Sequence, residues 1–248
     1  MFAKKGWKVA ATVRNPEYLS LFADTQNITP YVLDVKNKDS IKSCINQVVQ
    51  DFGKIDAIVN NAGIYNTNPL ELTSDKTIDD IVETNIKGVL YATKIILEHF
   101  RKNKSGTIVN ISSIVGRVTL PFQSIYQTSK WAIEGFSESL YYELKPLNIN
   151  VKVVEPGMVK TNIYNSVLDF PFEQYPDEYQ TNFKKWHRFL MKKYKNGYSP
   201  KSDAQTIYEA VNSNNSKLRY TTDFTTKMAF FLRSLLPLSV FQKIIKKL

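Results

Sequence analysis

The sequence predicts a doubly wound α/β fold around a mostly parallel sheet, and two observations carry that prediction. Short β-branched runs alternate along the chain with longer stretches of helical spacing. Such alternation builds a parallel sheet covered by helices on both faces. The composition agrees: 248 residues, 43 % hydrophobic and 12 % aromatic, can bury one sizeable core. With no internal repeat, low-complexity segment or linker, one domain over 1–248 is expected.

The elements follow in order. "WKVAATV" (7–13), "TPYVLDV" (29–35), "IDAIVNNAG" (55–63), "GTIVNISS" (106–113) and "NINVKVVEPG" (148–157) read as strands, most of them ending in polar or glycine residues. In 39–52, Ile41, Cys44, Ile45, Val48, Val49 and Phe52 recur at the spacing of one buried helix face. Segments 75–103 and 124–146 behave similarly. In this fold class ligands bind outside the carboxyl ends of the strands. The stretch "SSIVGRVTLPFQSIYQTSK" (112–130) begins at such an end.

The net charge of +10 is unevenly placed. Residues 1–180 carry 19 Lys/Arg against 20 Asp/Glu, whereas residues 181–248 carry 14 against 3. The excess can face anionic lipid, nucleic acid or water. Nucleic acid is not expected, because the aromatics are not interleaved on a stacking platform. Cys44 is the one cysteine, and His99 and His187 lie far apart. No metal site and a reduced cytoplasmic setting are therefore expected. No apolar run approaches the roughly 20 residues of a spanning helix, and no signal pattern opens the sequence.

Tyr126 and Lys130 are four apart at the start of a helix, so they share one face. A phenol titrating near 10 is a poor base at neutral pH, but a neighbouring ammonium stabilises the phenolate. Ser113 ends the preceding strand, where its hydroxyl can bond an oxygen whose proton Tyr126 handles. Taken alone, a Tyr–Lys pair at this spacing is also ordinary helix surface.

Five motifs change that balance. "NNAG" (60–63), "NIKG" (85–88), "IVNISS" (108–113), "YQTSK" (126–130) and "PGMVKT" (156–161) occur in the order and spacing of the short-chain dehydrogenase/reductases. The chain resembles that family closely over about 1–165 and loosely beyond. The resemblance implies a Rossmann-like fold with Tyr126 as general acid in carbonyl reduction and general base in alcohol oxidation. It implies that Lys130 lowers the tyrosine pKa and holds the nicotinamide ribose, and that Ser113 binds the carbonyl, with Ser112 a neighbour. Asn85 matches the asparagine of a water-linked proton relay; the other reading is a helix-interior amide contacting a carbonyl.

On the cofactor side, the resemblance places Asp34 at the adenine and the backbone of Asn61, Ala62 and Gly63 along the adenine ribose. Pro156, Gly157, Val159 and Thr161 match the loop that places the nicotinamide amide. Arg14 follows the first visible strand, and Val13 stands where an acid would favour NAD. An arginine there favours the extra phosphate of NADP, so NADP(H) is preferred to NAD(H). The alternative for Arg14 is a solvated charge at a strand end.

The chain departs from the family in one place. The glycine-rich turn after the first strand is absent, and before Asn60 only Gly6 and Gly53 occur. "MFAKKGWKVAATVRN" reads as the end of one helix and the second strand. The resemblance therefore implies a missing first strand, phosphate loop and most of one helix. A start placed at an internal methionine is preferred to a truncated protein, because the downstream catalytic positions are intact.

From Tyr164 to Tyr198 there are ten aromatics: Tyr164, Phe170, Phe172, Tyr175, Tyr179, Phe183, Trp186, Phe189, Tyr194 and Tyr198. In the family this stretch (162–200) forms a substrate lid. An aromatic lid suits an apolar carbonyl or alcohol of steroid, retinoid or acyl-chain type; the rings can equally serve only to pack the lid. Residues 228–248 hold apolar clusters broken by Pro237, with Lys243, Lys246 and Lys247 at the end. That suits a helix peripheral to anionic lipid, and also a segment docked on its own protein with a solvated basic rim. Two functions compete: an NADP(H)-dependent oxidoreductase, and a non-catalytic binding or scaffold protein on a truncated fold, resting on a membrane through the basic tail. A homodimer through 75–103 and 124–146 is what the resemblance suggests.

Overall fold

The computed structural model describes residues 1–22, 25–167 and 172–246. Six parallel strands carry the fold: β1 (Val9–Val13), β2 (Ile28–Val32), β3 (Ala57–Asn60), β4 (Gly106–Ile111), β5 (Ile149–Glu155) and β6 (Arg219–Thr221). The first five lie within the expected runs or one residue before them. β2, β3, β4 and β5 end earlier than their runs do, because the last residues of those runs leave the sheet as crevice loops, whereas β1 ends with its run at Val13. β6 has only three residues, too few to show an alternation in sequence.

Helices α1 (Lys38–Phe52), α3 (Gly88–Asn103) and α4 (Ser124–Leu144) cover one face. Ile41, Ile96, Phe100 and Leu140 meet Ile108 and Val151 of the sheet there. α6 (Pro200–Asn212) covers the other face, with Ala210 and Val211 on Val109 and Val154. Ile108 and Val109 thus point to opposite faces, as successive strand residues must. Asn37 starts α1 by accepting from the Asp39 and Ser40 amides.

The predicted helix 75–103 is not continuous. α2 (Asp75–Ile81) passes through a π-helical turn, Val82–Lys87, into α3. A π turn widens the helix by one residue and re-aims the side chains it carries. Asn85 lies on this turn.

The sheet is divided. β1 pairs only with β2, while β3, β4, β5 and β6 form a separate set in that order. Between β1 and β3 lies a cavity of about 790 Å³, lined by Val9, Ala10 and Thr12 on one side and by Ala57, Ile58 and Val59 on the other. The facing strand edges have no ladder partner among the described residues. This gap lies where the family resemblance leads one to expect a further strand.

Candidate active site

The site forms where β3, β4 and β5 end. Ser113 follows β4 and caps a 3-10 turn, Ile114–Gly116, its Oγ accepting from the Val115 amide at 3.3 Å. Backbone bonds on either side, Ser112 N–H to Val154 O and Ile114 N–H to Pro156 O, both 2.8 Å, hold it against the end of β5. Ser112 faces the other way: its Oγ would lie 2.5 Å from a Cβ added to Gly116.

Tyr126 and Lys130 occupy the first turns of α4, 8 % and 7 % exposed. The Lys130 ammonium donates to the Ile111 carbonyl at 2.9 Å and lies 5.7 Å from the Tyr126 ring centre. Burial pushes the Tyr126 phenol well above its ordinary value, a buried neighbour, Tyr164, adds to this, and a hydrogen bond with Ser113 opposes it. Burial also lowers Lys130 to about 8, against an upward pull from Glu134. The expectation from spacing was that the ammonium lowers the phenol. The geometry instead gives that ammonium to a carbonyl, and desolvation dominates both groups. Tyr126 is therefore held as the neutral phenol at neutral pH.

The Lys130 shift has a measurable consequence. Between pH 8 and 10.5 the unfolded chain holds a proton at Lys130 that the folded chain has released. Stability from this site therefore rises with pH across that window, by at most roughly 1.4 kcal/mol per pH unit. Lys130→Met is expected to lack that rise, which urea midpoints of both proteins across the window would reveal. Parallel profiles would show that burial does not depress the lysine.

Asn85 is 1 % exposed and fully engaged. Its Oδ1 accepts from the Ile64 amide, and its Nδ2 donates to the Ile64 carbonyl, both at 2.9 Å. The same Nδ2 reaches Ser129 Oγ at 3.1 Å, and Ser129 Oγ donates to the Tyr126 carbonyl at 2.6 Å. The π turn thereby joins the loop after β3 to the first turn of α4. A Cβ on Gly63 would stand 3.4 Å from Asn85 Oδ1 and 3.9 Å from Lys130 Nζ, in ordinary van der Waals contact with both. Behind the site, Asn60 donates to Asn110 at 2.8 Å and Asn110 to Ser137 at 2.9 Å, tying β3 and β4 to α4.

The remaining expected residues surround this cluster. Asn61 and Ala62 are exposed beyond β3. Gly157, after Pro156, donates its amide to Tyr198 Oη at 3.0 Å, and a Cβ there would meet Asp223 and Thr226 within 2.6 Å. Val159 pairs with Tyr198, and the Thr161 carbonyl accepts from Tyr194 Oη at 3.5 Å. Asp34 shapes its own turn, its carboxylate accepting from the Lys36 amide at 2.9 Å. Arg14 is exposed just past the end of β1.

Tyr65 and Gln123 gave no signal in sequence. Tyr65 sets its ring edge to face on Tyr126, centroids 4.8 Å apart, and accepts from Gln123 Nε2 at 2.7 Å. Of the ten aromatics, Phe170 lies outside the described residues. Phe183 and Trp186, on α5 (Asp177–Lys195), are buried in one cluster with Tyr65 and Tyr126, and Tyr164 packs on Tyr65 at 4.9 Å. Trp186 Nε1 donates to Thr67 Oγ1 at 2.8 Å, fastening α5 over the loop that carries Tyr65.

A buried phenol beside a hydroxyl, at the carboxyl end of a parallel sheet, is equipped to move a proton at a carbonyl or alcohol oxygen. The short chain dehydrogenase profile matches residues 1–170. The chain is similar to an uncharacterized oxidoreductase of Schizosaccharomyces pombe, 35 % identical over 210 residues, 85 % of this chain and 88 % of that one. It is also similar to 3-ketodihydrosphingosine reductase of Bacteroides thetaiotaomicron, 30 % identical over 88 % of this chain and 80 % of that one. Among solved structures, ElxO with NADP bound superposes with a TM-score of 0.74 at 27 % identity, over 92 % of this chain and 91 % of that one. A Burkholderia phymatum short chain dehydrogenase/reductase in complex with NAD shares the fold, with a TM-score of 0.79 at 22 % identity, over 94 % and 87 %. The chain belongs to the short chain dehydrogenase family and is an oxidoreductase of that family.

Proposed function

We propose that the protein interconverts an apolar carbonyl compound and its alcohol with NADP(H). The observation that carries this reading is the buried Tyr126 phenol, beside the Ser113 hydroxyl, with Lys130 one turn further along α4. In reduction, Ser113 holds the substrate oxygen and Tyr126 gives it the phenolic proton. In oxidation, Tyr126 takes that proton back. Lys130 holds the nicotinamide ribose, and Asn85 positions the loop after β3. Bound cofactor supplies or accepts the hydride.

The residues present fit two parts of such a cofactor. Asn61, Ala62, Gly63 and Asp34 suit the adenosine end and Arg14 its extra phosphate. Pro156, Gly157, Val159 and Thr161 suit the nicotinamide amide. The sequence before Asn60 holds no glycine-rich turn of the kind that cradles a pyrophosphate at a helix amino terminus.

Arg14 is the residue proposed to choose NADP(H) over NAD(H). In a form extended by a first strand and glycine-rich turn from a family member, Arg14→Asp is expected to lower the NADPH-to-NADH ratio of kcat/KM by about tenfold or more. An unchanged ratio would make Arg14 a surface charge.

The aromatic wall of Tyr65, Tyr164, Phe183 and Trp186 supports an apolar substrate and a lid function for 162–200. The relative named for 3-ketodihydrosphingosine supports the acyl-chain type. NADPH consumption by the extended form with long-chain, steroid and retinoid carbonyls tests this; preference for small polar ketones would overturn it. An exposed stripe on α4, including Trp131 and Tyr142, supports packing against a second copy. The buried Cys44 thiol is compatible with a reducing cytoplasmic setting. The divided sheet favours a second reading for residues 1–248 taken alone, that of a non-catalytic binding protein.

A further inference from the structure

The last two helices, α7 (Phe224–Leu235) and α8 (Leu238–Ile245), answer one question left open by the sequence and raise another. They do dock on their own protein. Phe230 and Phe241 are buried against Val118, with the Arg117 guanidinium 4.3 Å above the Phe230 ring and that of Arg233 5.6 Å from the Phe241 ring. Docking uses only one side of α7. Phe224, Met228, Phe231, Leu232 and Leu235 follow i, i+4, i+7, i+8, i+11 spacing and form a stripe on the opposite side. Phe224 is 75 % exposed, Leu235 62 % and Phe231 55 %; Leu238, at the start of α8, is 51 % exposed. An amphipathic helix that only packed on its protein would be polar there.

Charge selects what covers the stripe. Residues 224–246 contain Lys227, Arg233, Lys243 and Lys246 and no Asp or Glu. Lys227, Lys243 and Lys246 are exposed. The acid that precedes α7 in sequence, Asp223, is occupied in capping it, accepting from the Thr226 amide at 2.9 Å and from its hydroxyl at 2.6 Å. A second copy laid face to face would set these cations against one another. An anionic bilayer offers apolar depth for the stripe and counter-charge for the lysines.

We infer that α7 and α8 dock the protein on the surface of an anionic membrane through Phe224, Met228, Phe231, Leu232, Leu235 and Leu238. The docked helices share a wall with the candidate active site. Ile114 and Leu120 pack both on the Phe230–Phe241 cluster and on the cluster holding Tyr126. Docking therefore brings that wall close to the lipid. The inference rests on α7 and α8 and stands whether or not the chain turns over a substrate.

Vesicle flotation of the full chain tests it. The protein is expected to float with phosphatidylcholine vesicles containing about a third phosphatidylserine, and to remain below pure phosphatidylcholine vesicles. Phe231→Ser with Leu235→Ser is expected to lower the floated fraction about fivefold or more, with an unchanged circular dichroism spectrum, because both side chains face solvent. Lys243→Glu with Lys246→Glu provides a second variant that leaves the apolar stripe intact, and is also expected to reduce flotation. Protein that stays below the anionic vesicles overturns the inference. So does flotation indifferent to both double variants, which would assign binding to another basic surface. A parent dimer that the serine variant dissolves, with no flotation, would assign the stripe to a second copy.

Discussion

Tyr126→Phe is expected to lower kcat by roughly 10²–10⁴-fold while cofactor affinity stays nearly unchanged. The measurement uses the form extended by a first strand and glycine-rich turn, which supplies the pyrophosphate cradle the family resemblance leads one to expect. Phenylalanine keeps the ring that packs on Tyr65 at 4.8 Å and the position that α4 gives it. It removes the phenolic proton, the group that would be transferred. Single-turnover rates and cofactor titration of both proteins separate the two effects. Turnover within a few-fold of the parent would take Tyr126 out of the mechanism; a matching loss of cofactor affinity would make its role structural.

The second large effect concerns the 248-residue chain itself, which is expected to bind neither NADPH nor NADH at micromolar concentrations. A dinucleotide's pyrophosphate is held by backbone N–H groups of a glycine turn and the following helix terminus. This chain presents instead the cavity of about 790 Å³ between β1 and β3. The facing residues of β1 and β3 are at least partly exposed. Sheet edges without a ladder partner template association with other chains, so low solubility is expected as well. Calorimetric titration decides the matter. Micromolar binding by soluble, monodisperse protein would show that the divided sheet is a working form and would favour the binding-protein reading.

Much of this architecture was legible because its signals are local. The spacing of Ile41, Cys44, Ile45 and Val48 marks the face of α1 that is buried. The β-branched runs mark five strands, and the absence of a glycine turn before Asn60 foretells the gap between β1 and β3. The positions of Ser113, Tyr126 and Lys130 could be marked from motif order alone. What Asn85 does could not, since the π turn that aims it at Ile64 has no compositional signature. The Tyr65 contact is equally silent, because two distant segments make it.

The sequence by itself therefore determined the parallel α/β class, the residues gathered at the strand ends and the basic, apolar character of the carboxy-terminal helices. These properties follow from periodicity and residue type, which act over a few neighbours. Only the tertiary structure decided how those groups behave. The spacing of Tyr126 and Lys130 suggested a phenol eased by an ammonium. The fold buries both and spends the ammonium on Ile111, so desolvation raises one pKa and lowers the other. The apolar clusters of the tail did not say which would be covered. Packing on Val118 chose Phe230 and Phe241 and left Phe224, Phe231 and Leu235 facing outward. Burial is a property of the whole chain path, and no window of sequence contains it.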